Sequence, residues 1–271
     1  MSLINDLKLW QSSRLKISSE TGFWKGGNDT WFSTLSMKDQ VIGKLSYIQI
    51  LVLNATGKLP SKDFASWLEI NLIGLSYPDS RIWCNQIAAY SACASNTPSS
   101  AVAAAILGAD SRAYGGSQTS ESGMNQLNEA FIRRQNGDSW DTICQSVPNR
   151  NGKPMFIGFA RPVDKDDERI QPYETSRKSL NLVKGQYLTF AFELSQHLTE
   201  HYSLAVNSGG YANAMFLDHG FTGTEAARVK SYAISAGAIA SYRDNIKRTT
   251  SFLPQHCDDI HYTGHAPREL P

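Results

Sequence analysis

The sequence predicts an all-α fold, and three observations support this prediction. Apolar residues recur three and four positions apart over long windows, which is the spacing of one helix face. Clusters of Gly, Pro, Ser and Thr separate these windows, and few runs alternate apolar with polar residues as a half-buried strand would. A chain of 271 residues can bury a sizeable core in one large domain, alone or with a smaller domain attached.

Capping and stop signals place individual helices. The apolar spacing over residues 39–54 predicts a helix, and Gly57, followed closely by a proline, ends it. Ser61 then supplies an N-cap hydroxyl for the next helix. Thr97 precedes a proline and a run of small residues, so another helix is predicted to begin there and to pack closely against a neighbour.

The last long helix is predicted to begin at Thr222 or Thr224. Its expected apolar stripe consists of Val229, Tyr232, Ala233, Ala236 and Ala240. Gly237 falls within that stripe and indicates a close approach to another helix, because glycine leaves no side chain between two backbones.

Composition excludes several classes of function. Lys and Arg number 26 against 25 Asp and Glu, so no polyanion-binding surface and no nucleic-acid partner are expected. The longest apolar runs, such as residues 48–55, are too short to cross a bilayer. Residues 1–11 lack the basic region and the long apolar stretch of a signal peptide, so a soluble cytoplasmic protein without membrane contact is expected.

No metal site and no disulfide framework are expected. The cysteines are scattered without a C-x-x-C spacing, at Cys84, Cys93, Cys144 and Cys257. His197 and His201 are four residues apart on a predicted helix, a spacing that can bring two imidazoles to one metal. A zincin motif needs glutamate directly after the first histidine, but Leu198 occupies that position. Two surface histidines are therefore the simpler interpretation.

Three segments carry a resemblance to a known family. Val41–Lys62 ends in a turn of the form G-x-L-P, and residues 104–122 contain a glycine pair, Gly115 and Gly116. Met155–Ile170 has the sequence MFIGFARPVDKDDERI, which is similar to a loop of the form G-x-G-H-P followed by D-P-R. In this order, and with a C-terminal D-D-I-x-Y segment, they resemble the citrate synthase and citryl-CoA lyase superfamily over residues 39–268.

The resemblance implies a citrate-synthase-like large helical domain with a smaller helical subdomain, in a protein that forms a homodimer. A cluster of Pro, Asn, Arg and Gly at residues 147–153 is the expected break between the two. The large domain would take residues 1–150, and the smaller region with a coenzyme A loop would take residues 151–225. The helix and tail of residues 226–271 would return to the large domain.

The chemistry that the resemblance implies is the making or breaking of a carbon–carbon bond next to a thioester. It needs a base for the α-proton, donors for the enolate oxygen and cations for substrate carboxylates. The family uses an aspartate and two histidines, and all three positions differ here. Asp79 lies near the first histidine position, Arg161 occupies the second, and Asn207 or Ser208 occupies that of the aspartate. Arginine can stabilise an oxyanion but cannot act as a general acid near neutral pH.

Other positions are implied as binding residues. The family's carboxylate-binding arginine on the last helix corresponds to Ile234, so oxaloacetate is not the expected substrate. Arg169 matches the arginine of D-P-R, and a guanidinium there can hold a carboxylate or a phosphate with two parallel hydrogen bonds. The remaining expected substrate-binding residues are Arg81, Gly115, Gly116 and Arg268. The expected coenzyme A loop consists of Phe156, Ile157, Gly158, Phe159 and Ala160.

Each of these residues also has a purely structural interpretation. Asp79 follows a proline and precedes a predicted helix, so it can be an N-cap, with or without facing a cleft. Arg161 and Arg169 flank four acidic residues, so they can belong to a solvated ion-pair loop. The glycine pair can be a simple turn, and Asn207 can be a helix cap.

The functional prediction is an enzyme that acts at the α-carbon of an acyl-CoA or other acyl thioester, with Asp79 as base and Arg161 stabilising the enolate. Its partners would be the small-molecule thioester and a carboxylate- or carbonyl-bearing co-substrate, with no tightly bound cofactor. The alternative is a non-catalytic scaffold of the same fold that binds an acyl-CoA or another anionic ligand. Loss of the usual site residues favours the scaffold, whereas the polar and charged residues that replace the histidines and the aspartate favour an enzyme.

Overall fold

The computed structural model describes residues 3–14, 18–110, 117–161, 166–248, 258, 261–266 and 268, without the side chains of residues 3–6, 117 and 118. Within these residues the fold is helical, as predicted, with two small antiparallel sheets. The helices are α1 (Leu3–Ser13), α2 (Tyr47–Thr56), α3 (Lys62–Leu75), α4 (Trp83–Cys93), α5 (Pro98–Ala109), α6 (Ser117–Gln135), α7 (Trp140–Gln145), α8 (Ile170–Ser179), α9 (Gln186–Tyr202), α10 (Ser208–Asp218), α11 (Gly223–Lys230) and α12 (Ser235–Asn245). None of the described helices is both long enough and apolar enough to cross a membrane.

The sheets are small, and their strands are too short to give a clear alternation signal in the sequence. The first sheet has strands β1 (Gly22–Lys25), β2 (Asp29–Phe32) and β3 (Leu35–Ser36), and the second pairs β4 (Asn149–Arg150) with β5 (Lys153–Pro154). Gly22 faces Phe32 in the first hairpin, whose turn lies at residues 26–28.

The helix predicted over residues 39–54 is divided in the structure. Met37–Val41 forms a π-helical turn, and α2 begins only after a further turn. Gly43 adopts φ +75° between the two segments, and Ser46 then begins α2 with a capping box. The prediction of one continuous helix was wrong because the apolar spacing continues across these local turn signals.

Three other predicted helix ends are confirmed. Gly57 ends α2 in the left-handed conformation, with φ +75°. The Ser61 hydroxyl accepts a hydrogen bond from the Phe64 N–H at 3.1 Å. Thr97 caps α5 by accepting from the Ser100 N–H at 3.3 Å. In each case one residue satisfies backbone groups that the helix itself leaves unpaired.

The predicted last long helix is two helices. Thr222 begins the first of them, α11, with a capping box that includes Glu225. A turn over residues 231–234 separates α11 from α12. In this turn the Ser231 hydroxyl donates to the Arg228 carbonyl at 2.8 Å. The prediction of one helix was wrong because the apolar stripe continues across a turn that such local hydrogen bonds stabilise.

The chain forms two compact units. The first unit comprises Met1–Gly74 and Gly115–Ser231, and the second unit comprises Leu75–Tyr114 and Tyr232–Pro271. These limits differ from the predicted boundaries after residues 150 and 225. The predicted break at residues 147–153 lies inside the first unit, at the β4–β5 hairpin. Within the second unit, α12 packs on α4 and α5.

The core of the first unit is built from aromatic side chains of α3 and α10. Phe64 of α3 contacts Phe216 of α10 edge-on, with ring centroids 5.8 Å apart. Trp67 and Tyr211, on the same two helices, are fully buried with centroids 6.0 Å apart. Helix α10 also packs on α6 and α9. Burial of such large rings contributes much of the packing energy of a core, so it fixes the position of α10.

The second unit packs three helices through small side chains. Helices α4, α5 and α12 contact one another, and the buried residues between them are Cys84, Ala88, Ala105, Ala109, Ile234 and Ala238. Gly237 of α12 lies against the backbone before α4, where a Cβ would stand 2.8 Å from the Tyr77 carbonyl oxygen. The close approach predicted at this glycine is confirmed, but its neighbour is an irregular segment rather than a helix.

Candidate functional site

Three of the predicted site residues, Arg161, Arg169 and Asn207, lie in the first unit near one buried carboxylate. That carboxylate belongs to Asp167, whose side chain is fully buried in the segment that leads into α8. Arg169 Nε–H donates to Asp167 Oδ1 at 2.7 Å, and Arg169 Nη2–H donates to Oδ2 at 2.6 Å. Arg161 Nη1 lies 3.9 Å from Oδ1. The carboxylate is thus bound by one guanidinium through two hydrogen bonds and approached by a second.

Asp167 also fixes the start of α10. The Ser208 N–H donates to Asp167 Oδ2 at 2.7 Å, so the carboxylate satisfies an N–H of the first helical turn. Burial raises the pKa of Asp167, but the hydrogen bonds from Arg169 and from the Ser208 N–H outweigh burial and hold the pKa below its ordinary value of 3.8. Asp167 is therefore ionised at neutral pH and joins the α8 segment to α10.

Arg161 is held by acidic residues of its own loop. Within the described residues, all its polar contacts use Nη1, which binds the Glu168 carboxylate and donates to the Asp166 carbonyl at 3.3 Å. The Arg161 side chain is 17% exposed, whereas that of Glu168 is 72% exposed. An ion pair with one partner in solvent is weak, so Glu168 can give way to an anionic ligand at low cost. These contacts agree with an ion-pair loop, and among the described residues Nε and Nη2 have no partner.

Arg169 connects this loop to the end of α3. Its Nη1–H donates to the Gly74 carbonyl at 2.9 Å, while Nε and Nη2 bind Asp167. A Cβ on Gly74 would collide with the Tyr173 hydroxyl, so α3 and α8 are in direct contact there. Because Nε and Nη2 of this guanidinium both donate to Asp167, the carboxylate that Arg169 binds here is one of the protein's own.

Asn207 is the N-cap of α10, as its structural interpretation predicted. Its Oδ1 accepts hydrogen bonds from the Gly209 and Gly210 N–H groups at 2.8 and 3.2 Å. Its Nδ2–H donates to the Ala160 carbonyl at 2.6 Å, and its own N–H donates to the Gly158 carbonyl at 2.8 Å. An amide is not a base, and both ends of this one are bonded. Asn207 therefore fastens the preceding loop to α10.

The loop Phe156–Ala160, the predicted coenzyme A segment, is anchored on both sides. The Phe156 and Phe159 side chains are buried, with ring centroids 6.0 Å apart. The Ile157 N–H donates to Gln126 Oε1 of α6 at 3.0 Å. With both phenylalanine rings in the core, these two positions offer a ligand only their backbone.

Buried polar groups continue inward from the start of α10. The Ser208 hydroxyl lies 3.2 Å from the Tyr173 hydroxyl, which lies 3.4 Å from the Asn71 carbonyl oxygen. Asn71 is fully buried, and its side-chain nitrogen and oxygen have no hydrogen-bond partner among the described residues. Trp67 Nε1, one turn earlier on α3, is also without a partner among those residues. The buried polar groups next to Ser208 and Tyr173 thus include donors and acceptors that no described residue satisfies.

Asp79 and Arg81 pair with each other in the second unit. Arg81 Nη2–H donates to Asp79 Oδ2 at 2.7 Å, and the Arg81 N–H donates to Oδ1 at 2.8 Å. The N-cap of α4 is Ile82, which makes no side-chain cap hydrogen bond. The N-cap interpretation of Asp79 was wrong because its carboxylate binds the N–H two residues later and forms a local turn before the helix.

The pair with Arg81 determines the protonation of Asp79. The hydrogen bonds from the Arg81 side chain, and then from its N–H, lower the pKa of Asp79 to about 2. Asp79 is therefore ionised at neutral pH, but it is a weak base while the pair persists. The Arg81 side chain is 89% exposed, so solvent competes with the pair and opening it costs little.

Comparison with known proteins gives matches among solved structures. No protein-family model and no curated protein sequence matches the chain. Citryl-CoA lyase from Hydrogenobacter thermophilus superposes with a TM-score of 0.76 at 22% identity, over 94% of this chain and 97% of that one. ATP citrate lyase from Methanothrix soehngenii, in complex with citrate and coenzyme A, gives 0.76 at 14% identity, over 98% and 45%. Citrate synthase from Pyrobaculum aerophilum gives 0.64 at 18% identity, over 84% and 55%.

The chain has the citrate-synthase-like fold. The fold prediction made from three sequence segments is thereby confirmed, as is the expectation that the resemblance spans nearly the whole chain. This citrate-synthase-like chain also spans nearly the whole of the citryl-CoA lyase, but less than half of the ATP citrate lyase chain.

The Asp79–Arg81 pair of this citrate-synthase-like protein can be tested by titration. We expect Arg81→Met to raise the pKa of Asp79 from about 2 toward the ordinary value of 3.8, because the hydrogen bonds from the Arg81 side chain and its positive charge are lost. Carbon-13 NMR titration of the carboxyl groups measures it. Arg243→Met is the control, since Arg243 is also exposed and pairs with Asp244 in the same unit. Equal Asp79 titration curves in the two variants would contradict the assignment.

Of the other predicted positions, Gly115 and Gly116 lie outside the described residues, and Arg268 is exposed. The rings of His197 and His201 stack with centroids 4.2 Å apart. In the described part of the chain, no group of three His, Cys, Asp or Glu residues could hold a metal ion.

The sequence did not single out Asp167, the buried carboxylate that binds Arg169 and the Ser208 N–H. The four acids of this loop were interpreted alike, although in the described part of the loop Asp166 and Glu168 are exposed and Asp167 is buried. The available signal was the position of Asp167 at the start of the D-x-R motif that ends in Arg169. Its burial depends on Ser208, 41 residues later, which no local pattern indicates.

Proposed function

We propose that this citrate-synthase-like protein is an enzyme that makes or breaks a carbon–carbon bond at the α-carbon of an acyl thioester. The observation that supports it most is the arrangement in the first unit, where Asn207 bonds the Phe156–Ala160 loop and α10, and Arg161 follows that loop directly. The sequence resemblance assigns these positions to the enolate and to coenzyme A. The similar structures include a citryl-CoA lyase and a citrate synthase, and one ATP citrate lyase holds citrate and coenzyme A.

The thioester is proposed to be an acyl-CoA that binds as a substrate, with no tightly bound cofactor. The Phe156–Ala160 loop presents backbone groups to a ligand, because its two phenylalanine rings are buried. Assembly as a homodimer and a cytoplasmic location belong to the same proposal.

Arg161 is proposed to stabilise the enolate oxygen. An arginine guanidinium acts as a fixed positive charge and hydrogen-bond donor, never as a general acid. Nη1 is bound by the loop, which orients the group, and Nε and Nη2 have no partner among the described residues. A preorganised cation of this kind stabilises charge that develops during the reaction.

Asp79 is proposed to remove the α-proton, with Arg81 as a substrate-binding residue. In the paired state the pKa of Asp79 is about 2, which is too low for an effective base near neutral pH. A substrate carboxylate that binds the exposed Arg81 guanidinium would release Asp79 and raise its pKa. Substrate binding and base activation are then coupled through one arginine.

The co-substrate is proposed to be a carboxylate- or carbonyl-bearing molecule other than oxaloacetate. Ile234 takes the position that the resemblance assigns to a carboxylate-binding arginine, and it is buried in an apolar cluster with Ala238 and Cys84. An apolar side chain in an apolar cluster cannot bind a carboxylate. Any carboxylate must therefore be bound elsewhere.

The test is exchange of the α-protons of acetyl-CoA and other short acyl-CoAs with deuterium, followed by mass spectrometry. We expect exchange with the wild type and a loss of at least about 100-fold in Asp79→Asn, the usual contribution of a general base. Asp244→Asn is the control, since Asp244 is an exposed acid of the same unit. Unchanged exchange in Asp79→Asn would remove Asp79 from the role.

The second candidate function is a non-catalytic scaffold that binds an acyl-CoA or another anionic ligand. It is favoured by the low pKa of Asp79 and by the hydrogen bonds at both ends of the Asn207 amide, because neither side chain then accepts a proton readily. Binding of acyl-CoA without any exchange would support the scaffold. Binding with exchange would exclude it.

A further inference from the structure

Helix α11 ends in a buried lysine, Lys230. Lys230 is 7% exposed, and its Nζ donates to Asn213 Oδ1 of α10 over a long distance of 3.5 Å. The ring of Phe216 lies 5.9 Å from the same nitrogen. In the described part of the chain, no carboxylate lies within ion-pair distance of this amine.

A buried ammonium in this setting is incompletely satisfied. It carries three N–H donors, of which Asn213 accepts one at the limit of hydrogen-bond distance. Burial lowers the pKa of Lys230 to about 8, so the group still carries a proton at neutral pH. An uncompensated buried charge destabilises the free protein, and an anion that binds it removes that cost.

Asn213, the hydrogen-bond partner of Lys230, lies beside the loop at which thioester binding is proposed. The Asn213 side chain that bonds Lys230 also packs on Gly123 of α6, where a Cβ would collide with its Nδ2. A Cβ on Gly123 would also stand 3.0 Å from Ile157 of the Phe156–Ala160 loop. The absence of a side chain at Gly123 therefore lets Asn213 and the loop lie side by side.

We propose that Lys230 and Asn213 together form a carboxylate-binding position for the co-substrate. The inference rests on the proposed function and names the residues that bind the second substrate. The ammonium and the Asn213 amide N–H can each donate to one carboxylate oxygen, which is the pairing that a two-oxygen anion requires. This position also supplies a cation, whereas the position that the resemblance assigns to a carboxylate-binding arginine holds the apolar Ile234.

The test compares thermal unfolding of the wild type, Lys230→Met and Lys184→Met with acetate, malonate or citrate, each against sodium chloride of equal ionic strength. Lys184 is the matched control, because it is an exposed lysine of the same unit that contacts the Phe192 ring. Without a carboxylate, we expect Lys230→Met to unfold at the same temperature as the wild type or higher, because an apolar side chain replaces a buried charge. This variant is therefore expected to fold.

At about one hundred times its dissociation constant, the best of the three carboxylates should raise the Tm of the wild type and Lys184→Met by about 5–10 °C. The rise should be much smaller in Lys230→Met, which keeps only the weaker carboxylate contact proposed at the exposed Arg81. Equal stabilisation of all three proteins would overturn the inference, as would the absence of any stabilisation of the wild type. Deuterium exchange of acyl-CoA α-protons in the wild type, measured without added carboxylate, tests the proposed function separately. Exchange without Lys230-dependent stabilisation would overturn the carboxylate position alone.

Discussion

Asp167→Asn is expected to lower the free energy of unfolding by about 3–5 kcal/mol, the usual cost of removing one partner from a buried ion pair. The carboxylate receives hydrogen bonds from Arg169 and from the Ser208 N–H, and Arg161 lies close by. Asparagine keeps one oxygen but presents an NH₂ group to donors. The guanidinium and the first turn of α10 would then compete for a single acceptor.

Urea unfolding of Asp167→Asn and Asp166→Asn measures this effect. Asp166 is the neighbouring acid and is exposed, so its replacement should change stability by less than about 0.5 kcal/mol. Similar losses in the two variants would show that the loop is a solvated ion-pair network without a buried centre. A loss confined to Asp167→Asn would locate the stabilising carboxylate where the structure places it.

The stability difference between the wild type and Asp167→Asn should also depend on pH, with a known sign. The native pKa of Asp167 lies below its ordinary value of 3.8, so its ionised form is favoured by folding. That contribution is fully present above the unfolded pKa and is lost as the pH falls through the native pKa. The difference in stability between wild type and Asp167→Asn should therefore be constant at neutral pH and should shrink below about pH 4.

Gly158→Ala is expected to lower the free energy of unfolding by about 2–5 kcal/mol, the sum of a left-handed backbone cost and overpacking. Gly158 has φ +95°, and a Cβ there would stand 2.5 Å from the Gly210 Cα and 2.6 Å from the Gly210 N. These are backbone atoms of α10, which the aromatic core holds in place. The loop would have to leave Asn207, whose N–H donates to the Gly158 carbonyl.

Gly137→Ala is the matched control for this prediction. Gly137 has φ +92° after α6, and a Cβ there would meet nothing within 4 Å. Its replacement should show the backbone cost alone, about 1–2 kcal/mol. The difference between the two alanine variants in urea unfolding then measures the contact between the loop and α10. Equal losses would mean that the loop can move away from α10 without any loss of folding free energy.

Local chemistry explains which parts of the fold could be predicted. Thr97 and Thr222 were recognised as helix starts because a cap satisfies N–H groups only two or three residues away. Apolar spacing identified the helical class for the same reason, since it reflects a repeat of neighbouring residues. It failed at the turn over residues 231–234, where a helical stripe continues through residues that are not in one helix.

The sequence by itself determined the helical class, several of the helix caps and the order of the segments that resemble citrate synthase, because each depends on residues close together in the chain. The tertiary structure alone decided which charged groups are buried. Asp167 is enclosed through Ser208, 41 residues away, and the amine of Lys230 is enclosed through Asn213. Burial depends on how distant helices pack. Once Asp167 and Lys230 are buried, the free energy of their charged forms depends on the groups that bond them.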